Sequence, residues 1–251
     1  MFDDELYKVV KSADGSSTAY SKEYDECYHS TKDGALNESL TKHIKPAFLL
    51  KGDLECINIL DICFGLGFNT LSTLYYHKKN NLNSKVYIYS PELDAKLVKS
   101  LKNFTYPKEF EGFLHILESL DKQGFYEDKY FYIELFLGDG REYVKKFKNH
   151  FDIVYQDAFS PSTNPVLWTK EYFSDIKTSM KDDGVLTTYS TALRVRLSLY
   201  TNGFHIYLNK GNGYRNATIA SPKEIKGFDK VDMEHKIRCN PDVVAYSDKI
   251  L

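Results

Sequence analysis

The stretch INILDICFGLGFNT, Ile57 to Thr70, decides how the chain is read. INILDIC reads as a short buried strand, and GFNTLSTLYYHKK continues from it as a helix. Gly65 and Gly67 permit a tight turn between the two and let the polar part of a ligand lie over the helix N-terminus. Glycines at such junctions also serve plain packing, so the loop gains meaning only from its neighbours.

Outward from this unit the alternation repeats. KVYIYSPE is a strand and LDAKLVKSLKNF a helix; FEGFLHILESL, within Lys108 to Tyr126, has the spacing of an extra helix. FYIELFL, FDIVYQ and GVLTTYS then read as strands, separated by the helices GREYVKKFKNH and KEYFSDIKTSM. After a helix near Ala192 to Asn202, FHIYLNK and NATIAS close the chain as an antiparallel hairpin. Strands alternating with helices imply right-handed crossovers and a mostly parallel sheet. The expected fold is α/β, a Rossmann-like doubly wound sheet of seven strands. Residues 1–50, with polar clusters such as SADGSSTAYSKEYDE, are expected to form an N-terminal appendage or lid on a domain spanning 51–251.

Composition narrows the classes. At 251 residues with 42% hydrophobic and 27% charged side chains, the chain has the material for one core and no case for wholesale disorder. A formal net charge of −2 gives no global attraction to polyanions, so a nucleic-acid partner would need a local basic patch. Short basic groups occur at Lys42 to Lys45, Lys96 to Lys102, Lys145 to Lys148 and Arg194 to Arg215; each reads first as a solvated helix face. No apolar run approaches the ~20 residues that span a bilayer, and the acidic start MFDDEL is no secretory signal, so a cytoplasmic protein without membrane contact is expected. The four cysteines, Cys27, Cys56, Cys63 and Cys239, lie far apart, as do the histidines, and no metal site is expected.

In doubly wound sheets ligands bind beyond the carboxyl ends of the strands, near the switch in strand order. The glycine loop is one such end. Glu92 closes the second strand, where an acid can accept both hydroxyls of a ribose. Asp139, in LGDG after the third strand, can accept from an exocyclic amine such as adenine N6 or cap the helix starting near Arg141. The glycine loop lacks the third glycine of a dinucleotide fingerprint, Thr70 standing there, which with the closing hairpin favours S-adenosylmethionine over NAD. The fourth strand ends in YQDAFSPSTNPVLW, Tyr155 to Trp168. Asp157 is placed beside the methyl group of such a cofactor, Phe159 and Trp168 are available to enclose a planar substrate, and Pro161 and Pro165 restrict the loop.

DAFSPSTNPVLW resembles the DGFAPxxNPxxW signature of the methyltransferase domain of the bacterial tRNA 5-methylaminomethyl-2-thiouridine biosynthesis (MnmC-like) family. The likeness spans nearly the whole chain: DGSSTAYSKEYDECYHSTKDGALNES resembles that family's N-terminal segment, DICFGLGFNTL its glycine loop, LFLGDG its third-strand acid, and KGNGYRNATIAS its C-terminal strands. The resemblance implies a class I methyltransferase that uses S-adenosylmethionine, with neither metal nor FAD, since the flavin-dependent oxidoreductase domain of many members has no counterpart in this sequence. It implies Phe64, Gly65, Gly67 and Asn69 around the methionine part, Glu92 on the ribose, Gly138 and Asp139 at the adenine, and Glu38 as an N-terminal acid closing over the site. It makes Asp157 the acid beside the reacting amine, with Asn164 and Pro165 shaping its loop. Two positions depart from the family: Cys63 and Ala158 stand where it has glycine.

The implied reaction is methyl transfer to the primary amine of 5-aminomethyl-(2-thio)uridine at the tRNA wobble position. An upstream enzyme would supply that amine, and the chain is expected to act as a monomer. Arg194, Arg196, Lys210 and Arg215 are candidates for phosphate contacts and Phe159 for stacking on the uracil. Competing readings are a methyltransferase of a small amine or another RNA base, an aminopropyltransferase, and a cofactor-binding protein without catalysis.

Overall fold

The computed structural model describes residue 2 and residues 6–250, so the acidic start MFDDEL lies mostly outside it. The chain opens with a small antiparallel sheet of β1 (Tyr7–Lys11), β2 (Ser17–Ser21) and β3 (Glu26–Cys27). A continuous helical segment follows: α1 (Ala35–Glu38), a wider π turn over Ser39–Ile44, and α2 (Lys45–Lys51), with Pro46 in its first turn. Because the run is helical on both sides, Pro46 sits inside it, and its missing N–H falls next to the wider π turn, where the α-helical ladder is already broken.

The predicted alternation then appears: β4 (Cys56–Ile62), α3 (Phe68–Lys79), β5 (Lys85–Glu92), α4 (Ala95–Ser100), α5 (Leu114–Gln123), β6 (Phe125–Glu127), β7 (Phe131–Leu137), α6 (Gly140–Val144) and β8 (Phe151–Gln156). It continues through α7 (Lys170–Ser179), β9 (Met180–Thr188), α8 (Leu193–Tyr200), β10 (His205–Asn209), β11 (Ala217–Ser221), β12 (Asp229–Lys230) and α9 (Met233–Cys239). All seven expected strands form, in the order β7-β5-β4-β8-β9-β11-β10, and β11 runs antiparallel to both neighbours. The sheet is nevertheless nine-stranded, because β6 and β12 each add a short antiparallel edge. Strands of two or three residues carry no periodicity, which is why the sequence did not reveal them.

Side-chain alternation distributes the core over both faces. Ile57 and Ile59 of β4 join Val86, Ile88 and Ile153 on one face; Leu60 and Ile62 join Val154 and Leu186 on the other. Every residue of β8 is buried, as expected of a central parallel strand covered by helices on both sides. The first face also takes Tyr7, Ala19, Ile44 and Phe48, so the N-terminal segment shares its core with the sheet. Strand order reverses between β4 and β8, and the loops after those two strands open at that switch.

Two of the basic groups are not plain solvated faces, since Lys42 and Arg196 are both buried. Lys42 is buried between Asp33 and Glu38, its ammonium 2.6 Å and 2.7 Å from their carboxylates. No described helix is long and apolar enough to cross a membrane.

Candidate active site

The loop after β4 is held open by its backbone. Cys63, Gly65 and Gly67 all have left-handed φ, at 64°, 54° and 74°. A Cβ on Gly67 would stand 2.9 Å from the Phe64 ring, so this turn closes only around glycine. At Cys63 the left-handed backbone explains why the related family prefers glycine, since any Cβ is strained there. Its thiol is pushed up by burial and stays protonated, behaving as a small apolar group. Ala158, the other departure, is buried with no left-handed φ, and the extra methyl costs nothing in the backbone.

Glu92 at the end of β5 braces this loop. Its Oε2 accepts the Gly65 N–H at 2.8 Å and its Oε1 the Asp94 N–H at 2.8 Å. Burial raises its carboxyl above the ordinary range, although these backbone donors work against that. Asp94 caps α4 and receives the Tyr7 hydroxyl, which ties the small sheet to the same corner. After β7, Gly138 donates to the Glu92 carbonyl at 2.8 Å, and the exposed Asp139 caps α6 through the Arg141 N–H at 2.7 Å.

Asp157, directly after β8, has a side chain only 11% exposed. Asn69, in the first turn of α3, donates to its Oδ2 at 2.8 Å and to Asp61 Oδ1 at 3.4 Å. From the other side His43 Nε2 stands 3.3 Å from Asp157 Oδ1, without the alignment of a hydrogen bond. Burial alone would raise this carboxyl; His43, His29 and Asn69 outweigh it and hold it at about 2. Asp61 goes the other way. Fully buried and beside the Asp157 charge, it is pushed up to about 7 against the bonds from Thr70 and Asn69. Two carboxylates joined through one amide thus take opposite protonation behaviour, as like charges in one low-dielectric site must.

The loop beyond Asp157 is tied at both ends. Glu26 of β3 accepts from the Ser160 backbone N–H at 3.2 Å and its hydroxyl at 2.9 Å. Trp168 donates to the Phe159 carbonyl at 2.8 Å. That tryptophan is fully buried against Phe173 and Tyr189, so it anchors the loop from below and does not enclose a substrate. Phe159 is half-buried at the cavity, its ring stacked on Tyr24 with centroids 4.8 Å apart and tilted against Tyr28 at 4.9 Å.

These groups line one cavity of about 800 Å³ that runs from Glu92 and Asp139 past the glycine loop to Asp157 and Phe159. Phe64, Gly65, Asn69, Gly138, Asn164, Pro165 and Glu38 all reach it; Gly67 shapes the turn from behind. Glu38 Oε2 accepts the Ser30 N–H at 2.6 Å, and Oε1 the Lys42 ammonium. Of the candidate cations only Arg215 lines the cavity, its guanidinium 3.1 Å from Asp33. Arg196 is buried in α8 and bonded to Thr218 at 3.0 Å, out of reach of any phosphate, and Arg194 stacks on Tyr246. Lys210 is exposed, paired with Asp229 and away from the cavity. Sequence reasoning did not single out Tyr24, Glu26 and His29, although they lie in the stretch that resembles the family's N-terminal segment, nor His43, which lies beyond it; Asp61 stood in the decisive stretch but looked like an ordinary strand residue.

The donor set suits a cationic nucleoside cofactor. Glu26, Glu38, Glu92, Asp94, Asp139 and Asp157 face the cavity against Lys32 and Arg215, and the left-handed glycine turn brings backbone close to whatever lies over α3. Among the described residues no cluster of His, Cys, Asp and Glu could hold a metal ion.

Fold, glycine turn and strand-end acids define a Rossmann-like methyltransferase that uses S-adenosylmethionine. The family described as S-adenosyl-L-methionine-dependent methyltransferase matches residues 108–224. The crystal structure of MNMC2 from Aquifex aeolicus superposes with a TM-score of 0.82 at 31% identity, over 99% of this chain and 82% of that one. An uncharacterized protein of Methanocaldococcus jannaschii is 31% identical over 213 residues, 80% of this chain. The tRNA 5-methylaminomethyl-2-thiouridine biosynthesis bifunctional protein MnmC of Leptospira interrogans is 28% identical over 215 residues, 78% of this chain. The chain spans 55% of the first of these relatives and 32% of the second. A spermidine synthase from Thermotoga maritima, at 17% identity and a TM-score of 0.54, shares the fold alone. The chain belongs to the MnmC-like methyltransferase family.

Proposed function

We propose that this protein transfers methyl from S-adenosylmethionine to the primary amine of 5-aminomethyl-(2-thio)uridine at the wobble position of tRNA. The observation that carries the reading is Asp157, a nearly buried carboxylate held ionised at the strand-order switch, with the Phe159 and Tyr24 rings beside it. The bifunctional relatives, named for tRNA 5-methylaminomethyl-2-thiouridine biosynthesis, support the substrate. Glu92 would hold the ribose, Asp139 and Gly138 the adenine side, and Phe64, Gly65 and Asn69 the methionine part, with Glu38 at the entrance.

The cofactor supplies an electrophilic methyl on a sulfonium. Asp157 orients the amine by accepting its N–H and stabilises the positive charge that builds on nitrogen, so most of the rate comes from alignment and a fixed counter-charge. With its carboxyl at about 2 it is a weak base, and its part is electrostatic. Phe159 offers a face to the extruded base, and Arg215 and Lys210, both largely exposed, reach outward for phosphates. On this reading the protein works in the cytoplasm as a monomer, downstream of an enzyme that makes the aminomethyl group.

Asp157→Asn keeps the shape and removes the charge. Methyl transfer into tRNA carrying the aminomethyl intermediate should fall at least about 100-fold, with S-adenosylmethionine binding by calorimetry little changed. Unchanged turnover would remove Asp157 from the reaction.

A further inference from the structure

The reaction proposed above leaves a proton unassigned. An alkyl amine is mostly protonated near neutral pH and has no lone pair to attack with. The acids at the cavity are poorly suited to take that proton. Asp157 is a weak base, both oxygens of Glu92, Glu38, Glu26 and Asp94 already accept hydrogen bonds from the protein, and Asp139 caps α6 at the other end of the cavity. His43 is fully buried behind Asp157 and does not line the cavity.

His29 differs from all of these. It sits between β3 and α1, lines the cavity with its neighbours Tyr28 and Ser30, and is 9% exposed. Its ring packs on Phe68 at 4.6 Å, one residue before the Asn69 that holds Asp157, and its Nδ1 is 3.1 Å from Thr18 Oγ1. Resting on the function proposed above, we propose that His29 is the proton acceptor for the substrate amine, its Nδ1–H donating to Thr18 and its Nε2 turned to the cavity. The N–H bond of the ammonium breaks, its proton going to Nε2. The freed lone pair forms the nitrogen–methyl bond as the methyl–sulfur bond breaks, that electron pair staying on sulfur; the imidazolium then returns its proton to water. The charged and titratable groups that face the ring are Asp157, Glu38, Asp14 and His43. Burial, with His43, lowers its proton affinity further than the three acids raise it, so the imidazole enters the reaction neutral.

The test is His29→Asn, assayed from pH 7 to about 9.5, where the amine increasingly loses its own proton in solution. Transfer into tRNA carrying the aminomethyl intermediate should drop about 100-fold at pH 7, and the deficit should shrink as pH rises, with S-adenosylmethionine affinity unchanged. A deficit constant across pH, or none, would overturn the assignment, because a structural role does not depend on the ionisation of the substrate. Should His29→Asn fail to fold, Thr18→Val, which frees the ring nitrogen, is read the same way: a smaller deficit that closes at high pH supports the proposal, and wild-type rates at every pH overturn it. Absence of transfer by the wild-type protein would instead defeat the parent reading, and this one with it.

Discussion

Lys42→Met isolates the buried charge network at the rim of the cavity. The lysine side chain is 1% exposed, and those of Asp33 and Glu38 are 5% and 6% exposed. Methionine keeps most of the stem volume but leaves two carboxylates facing each other without their cation. Removing one partner of a buried pair costs about 3–5 kcal/mol. The low end applies here, because Arg215 still reaches Asp33 and the Ser30 N–H still reaches Glu38. A loss of about 3 kcal/mol in a chain of this size lowers Tm by about 6–12 °C, which a thermal melt followed by circular dichroism resolves. The pH dependence gives an internal check. In the wild type the Asp33 carboxyl, though burial raises it, is held below its ordinary value by Lys42 and Arg215, so its stabilising contribution is present above the unfolded pKa and lost as pH falls through the folded one. In the variant Asp33 loses one of the two cations that hold it down and takes up a proton more readily, so the penalty is greatest at pH 7 and shrinks toward pH 4. Equal melting points at pH 7, or a gap that stays constant on acidification, would refute the claim that Lys42 neutralises this pair.

Cys63→Gly relieves a left-handed φ worth about 1–2 kcal/mol but adds unfolded-state freedom of about 0.4–1 kcal/mol; urea denaturation should place it within about 1 kcal/mol of wild type, whereas Cys63→Val should be clearly destabilised. Glycine losing more than valine would mean the strain is not where the backbone puts it. Glu26→Ala removes the acceptor for both Ser160 donors, so KM for tRNA should rise several-fold with cofactor affinity untouched. An equal loss of S-adenosylmethionine binding would show that the tether supports the whole cavity instead of the substrate loop.

What could be read from the chain was the part written locally. Strand, glycine turn and helix follow one another within Ile57 to Lys79, and an acid at the end of each next strand needs only the period of the fold to be placed. Arg196 failed for a related reason: a cationic residue in a short helix without a marked polar face gives no sign of which way it points, and α8 turns it inward toward Thr218. Trp168 likewise reads as a substrate-facing aromatic until the loop geometry shows its indole N–H serving the Phe159 carbonyl.

The substrate side of the cavity is written across the chain instead. Glu26 meets Ser160, Tyr24 meets Phe159, and His43 meets Asp157, pairs separated by more than a hundred residues and contributed each time by the N-terminal segment. His43 also depends on the π turn over Ser39–Ile44, which departs from the helical period that a sequence pattern assumes. From that turn its Nδ1 reaches Thr187 of β9 at 3.0 Å while its Nε2 faces Asp157, so one imidazole links the N-terminal segment to the ends of β8 and β9. The small sheet is therefore no passive cover. By setting the charge on Asp157 and fixing the loop that follows it, the segment before β4 determines what the second half of the cavity can bind, while the glycine turn and the strand-end acids determine the first.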